Sequence, residues 1–123
     1  MVVLVSDSMP LNPVQIEREI SEAVTQISRS IRPVSEAYNA WQKAELDFKA
    51  AFARAFLDAE GPMEERKQRA VAGTVGEALA ARVAEGEYKR LLDFQRSFRD
   101  QLSALQSVQK SVNAAYQAAG HDG

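Results

Sequence analysis

Acid–base chemistry needs carboxylates or histidine converging on a pocket, and this 123-residue chain places few such groups where they could converge. Its one histidine, His121, stands in the C-terminal tail, which argues against a histidine-centred triad or zinc site. Serines and threonines are common, but none has a nearby base or the setting of a nucleophile elbow. Paired helix carboxylates could hold a metal. Yet Glu45 and Glu87 are the only acidic residues at core-facing positions of the helical pattern, and the Glu-x-x-His element of di-iron helices is missing. Glu45 reads instead as a polar core position that pairs with a basic residue across the fold or helps to set register. With no cysteine, thiolate chemistry, disulfides and cysteine-ligated zinc or iron–sulfur sites are excluded. No catalytic residue, metal or cofactor is expected, and the chain reads as a non-enzyme.

Two groupings could recognise anions. Gly73-Thr74-Val75-Gly76 has the glycines of a phosphate loop but lacks the Gly-Lys-Ser/Thr ending and follows no strand, so it reads as a turn. Arg82, Lys89 and Arg96 are seven residues apart, and Lys110 continues the series after Ser103 interrupts it. Arg90 and Arg99 flank them, while Arg66, Lys67 and Arg69 lie upstream. Such a stripe is a candidate nucleic-acid-binding face. Against it, Glu85, Asp93 and Asp100 are interleaved as on any solvated helix face, and a net charge of -2 supplies no global attraction to phosphate. Nucleic-acid binding therefore ranks second to protein binding.

These side chains would be carried on helices. Leu91, Phe98, Leu105, Val112 and Ala119 fall seven apart, with Phe94, Leu102, Val108 and Tyr116 between them, which is a coiled-coil-like seam. A helix over 77–119, or from Val75 onward, follows, about 60 Å long at 1.5 Å per residue, with Gly120 as its stop and 120–123 as a tail. Upstream, Asn12 as N-cap, Pro13 at the first helical position and Gln15 three residues after the cap predict a helix start. Its apolar lines are Ile20, Ile27, Val34, Trp41, Phe48, Ala55 and Val24, Ile31, Tyr38, Phe52, Ala59. The phase passes through Pro33 without slipping, which favours one helix over 13–59 kinked at Pro33 above two helices, 13–31 and 35–59. Phe48, Phe52 and Phe56 form an aromatic ridge read as core. Gly61-Pro62 and Gly73 to Gly76 bound a connection over 60–76 that contains a short helix, 63–72, placed to lie over the ridge. Residues 1–12, with the run VVLV, form an N-terminal arm.

The fold class predicted is all-α: a long antiparallel helical hairpin with a short connecting helix, packing into a dimeric bundle. Leu46, Phe56 and Leu57 lie off the main line and Leu92 and Leu102 beside it, and these five are the candidate interaction surface that a homodimer or another protein would cover. The composition, 46% hydrophobic and 26% charged, suits one soluble domain. No apolar run reaches the roughly 18 residues of a membrane span, and Val2 to Val5 is too short for a signal-peptide core. No membrane partner and a cytoplasmic location are expected.

The segment VAEGEYKRLLDFQRSFRDQLSALQSVQKSVNAAY, with Ala84, Glu85, Glu87 and Tyr88 leading into the Leu/Ser/Gln-rich stretch Leu102 to Ser107, resembles the C-terminal part of small helical proteins of unknown role from bacteriophages and prophages. It covers under a third of the chain. The resemblance implies a mobile-element origin, hence the cytoplasm of the host cell, and no particular activity. In length the chain is also similar to secreted Trp-x-Gly helical hairpins, but Trp41 is followed by Gln42 and Lys43, so that motif is missing.

Overall fold

The computed structural model describes residues 12–122, which form three helices, α1 (Pro13–Asp58), α2 (Met63–Gly73) and α3 (Val75–Asp122), with no strand among them. The fold is all-α, a helical hairpin with α1 and α3 as arms and α2 as the connecting helix. Apart from Asn12, the N-terminal arm 1–12 lies outside the described residues, as does the side chain of His121.

The start of α1 is held by a reciprocal pair. Asn12 Oδ1 accepts the Gln15 backbone N–H at 2.9 Å, and Gln15 Oε1 accepts the Asn12 N–H at 3.3 Å. Pro33 lies inside α1, so the alternative of separate helices over 13–31 and 35–59 does not occur. Proline cannot bond the carbonyl four residues back, that of Arg29, but Arg29 is an exposed residue and water can reach the freed group.

Two expected boundaries move. Instead of a connection over 60–76, Thr74 alone separates α2 from α3, and α3 begins at Val75, the earlier of the two expected starts. The buried Thr74 serves both helices. Its hydroxyl donates to the Ala70 carbonyl at 2.7 Å, its N–H donates to the Val71 carbonyl at 3.3 Å, and its carbonyl accepts the Ala78 N–H at 3.0 Å. At the other end α3 passes through Gly120 to Asp122 instead of stopping at Ala119, so the tail is not separate from the helix as expected. A glycine ends a helix by turning left-handed, and among the described glycines only Gly61 does so, with φ 108°.

The helices divide into two compact units, one of α1 up to Ile31 with α3 from Asp93 onward, the other spanning Arg32–Leu92. In the first unit Ile16, Ala23, Gln95 and Leu105 are buried. Gln95 Nε2 donates to Ser30 Oγ at 2.9 Å, and that hydroxyl donates to the Ile27 carbonyl at 2.6 Å, so a polar pair sits in the core with its bonds made. In the second unit Ala37, Ala51, Ala70, Thr74 and Ala81 are buried. There α1 and α3 run antiparallel: Trp41 stacks on Tyr88 with centroids 5.4 Å apart, and four residues along α1 Glu45 meets Arg82, six residues back along α3.

One apolar line on each arm lies where expected. Leu91, Phe98, Leu105 and Val112 are buried or half-buried, as are Ile20, Ile27, Val34, Trp41, Phe48 and Ala55, whereas Ala119, the last of the α3 line, is exposed. The companion lines hold only in part, with Phe52 and Ala59 by α1 and Leu102 and Val108 on α3 half-buried. Val24, Ile31 and Tyr38 on α1 and Phe94 and Tyr116 on α3 are exposed. Ile16, Ala23, Ser30, Ala37, Ala44 and Ala51 take the place of the exposed ones on α1, and Ala81, Tyr88 and Gln95 on α3. Small side chains such as Ala23, Ala37, Ala51 and Ala81 permit close approach of helix axes.

Candidate functional site

The basic series is best judged by what each cation already touches. Arg82, in the second unit, gives one guanidinium nitrogen to Glu45 of α1 and places the other 3.2 Å from Glu85 of its own helix. Lys89 Nζ lies 2.9 Å from Glu85. The hydrogen bond from Lys89, with the charges of Lys89 and Arg82, holds the Glu85 carboxyl below its ordinary value despite some desolvation. Arg90 is bound in the same way to Glu87, at 2.8 Å and 3.1 Å, which lowers Glu87 and raises Arg90. Half of the series is therefore neutralised in place. Arg96 and Lys110, in the first unit, are exposed and enter no ion pair among the described residues.

The cations of the connection have a structural task. Arg66 lies over the Phe56 ring, 4.6 Å from its centroid, while its Nε and Nη2 donate to the Phe56 carbonyl at 3.4 Å and 3.2 Å. Arg69 Nη1 donates to the Glu60 carbonyl at 3.1 Å. Both charges sit at the C-terminal end of α1, where unpaired carbonyls concentrate negative potential. They stabilise a chain reversal.

Glu45 accepts from Arg82 and, at 3.4 Å, from the Trp41 indole N–H, so it is the cross-hairpin polar anchor expected of it. Tyr38 packs edge-on against Trp41 and Tyr88, with centroids 6.0 Å and 5.4 Å away. The aromatic residues of this cluster fill the interhelical space and leave Tyr38 half in solvent. No group of three or more His, Cys, Asp or Glu suited to a metal occurs among the described residues.

A cleft of about 150 Å³ opens in the second unit between all three helices, lined by Phe48, Phe52, Val71, Thr74, Val75 and Ala78. None of these is titratable, and the one hydroxyl, of Thr74, is already bonded to Ala70. It offers apolar contact and no acid, base or nucleophile. The ridge of Phe48, Phe52 and Phe56 is half-buried here, with α2 alongside, as the sequence predicts.

The five candidate interaction residues separate into two groups. Phe56 lies under Arg66, and Leu92 and Leu102 are half-buried within their own units, so these three are spent on the hairpin. Leu46 and Leu57 remain 66% and 73% exposed on the outer face of α1, in line with exposed Ala50 and Ala53. Sequence reasoning missed a second apolar row on α3, Val75, Leu79 and Val83, each more than half exposed. Its i, i+4, i+8 spacing was visible, but Leu79 and Val83 fall outside both seam lines and single apolar residues on a surface are common. The structure also brings forward Gln95, which hydrophobic periodicity cannot detect. No helix of the described residues is long and apolar enough to cross a membrane. No family model, curated protein or solved structure matches the chain.

Proposed function

We propose that this chain is a non-enzymatic protein–protein interaction or assembly module that acts through the outer faces of its hairpin. The observation that carries this reading is the set of exposed aliphatic side chains in the second unit, Leu46 and Leu57 on α1 and Val75, Leu79 and Val83 on α3. Rows of aliphatic residues at helical spacing are what a partner helix covers. Nucleic-acid binding is the second reading and is weaker, because Arg82 and Lys89 already satisfy Glu45 and Glu85. The resemblance of the Ala84 to Tyr88 start and the helix after it to phage proteins supports a mobile-element source and action in the cytoplasm of a host cell.

The test is site-specific photocrosslinking of the full chain in its native cells. A photoreactive residue in place of Leu79 should capture a defined protein, and one in place of Lys110 should capture none. Equal labelling from both positions, or none from Leu79, would end the reading.

A further inference from the structure

The outer face of α1 carries a pattern that reads the same from either end. Lys43, Leu46, Ala50, Ala53 and Leu57 follow one another on α1 at steps of three and four residues, the spacing of a straight stripe on one helix face, and Glu60 stands two residues beyond the helix end at Asp58. All six are exposed. A two-fold axis passing between Ala50 and Ala53 would set Leu46 against Leu57 and Ala50 against Ala53, in both directions at once, with Lys43 toward the partner's helix end. We propose that this stripe docks antiparallel on the same stripe of a second copy of the chain. The proposal deepens the reading of the protein as an interaction module by naming one face and its partner.

Charge decides both the occupant and the orientation. Asp47 and Arg54 flank the stripe on one side, and in the antiparallel arrangement each faces the other across the axis. Arg54 and the Glu60 carboxylate join none of the ion pairs among the described residues. Lys43 and Asp47 are paired with each other at 2.8 Å, an exposed contact that is readily exchanged. On the other flank Lys49 faces Phe56, where Arg66 already lies, so that side adds no ion pair. A parallel pairing would instead bring Lys43 onto Lys43. The alanines at the centre permit close approach of the two helices. The apolar stripe is only about 17 Å long from Leu46 to Leu57, at the small end of specific interfaces, so association depends on concentration.

Sedimentation equilibrium of the full chain up to several hundred micromolar tests this. The wild type should approach a dimer, and Leu46→Glu, placed on an exposed position, should weaken it about tenfold or more without loss of helix. Asp47→Arg and Arg54→Asp should each weaken it, and the two together should restore it. Because the chain has no cysteine, an equimolar mixture of Ala50→Cys and Ala53→Cys should form the mixed disulfide in preference to either homodimer. A monomer at every concentration, a dimer indifferent to Leu46→Glu, or a charge swap without rescue would overturn the pairing. If the pairing fails while Leu79 still captures a foreign protein, the interaction reading stands alone. If both fail, both are wrong.

Discussion

At the scale of single residues, two glycines make opposite predictions. Gly61 holds φ 108°, and a Cβ there would also lie 2.8 Å from Glu65 Oε2, so Gly61→Ala should cost about 1–2 kcal/mol. Gly86 sits within α3 with nothing near its absent Cβ, and Gly86→Ala should raise stability by about 0.5–1 kcal/mol. Chemical denaturation of the two variants measures both signs. Burial makes a second contrast. Ile16 is fully buried, and Ile16→Ala should cost about 2–5 kcal/mol through lost transfer energy and the cavity left behind. Phe94, 54% exposed, should tolerate alanine with a far smaller loss, although the sequence pattern put Phe94 in the seam and left Ile16 out of it. Equal losses would mean that the companion lines of the hairpin are misassigned.

At the scale of elements, the arms are held in register by polar contacts as well as by apolar lines. Gln95, 6% exposed, depends on Ser30 for its partner. Ser30→Ala should cost about 1–3 kcal/mol by orphaning the amide, whereas Ser30→Ala with Gln95→Leu should recover much of that. A double-mutant cycle with no coupling would refute the pair. Along α3, Glu85 and Glu87 have folded values below the ordinary carboxylate range. Their ion pairs therefore contribute stability above that range, and the contribution fades as pH falls through their lowered folded values. Melts should show a modest acid-side loss that Glu85→Gln reduces and high salt masks, since these groups lie in solvent. A stability that rose on acidification through this range would contradict the assignment.

At the scale of the whole molecule, the two functional readings differ in their response to salt. Were Arg82, Lys89, Arg96 and Lys110 to bind a duplex, affinity would fall with a log–log slope of about -0.9 per phosphate neutralised. We expect only weak binding at physiological salt, and submicromolar binding abolished by reversing all four charges in a still-helical variant would reverse the ranking. The sequence by itself determined the all-α class, the capping box at Asn12, the start of α1 and one apolar line on each arm. These follow from local hydrogen bonding and from large side chains, whose periodicity survives without any partner being known. Continuity of α1 through Pro33 was read from an unbroken heptad phase, because a loop would have reset it. Only the tertiary structure decided the companion lines. Alanine and serine carry little signal in a hydrophobic pattern, yet their size sets how closely two helices can approach, so Ala23, Ala37 and Ala51 went inside while Val24, Ile31 and Tyr38 went out. The same holds for the charges: Arg82 and Arg66 look like free cations in the chain, and only folding brings Glu45 and the Phe56 carbonyl within their reach.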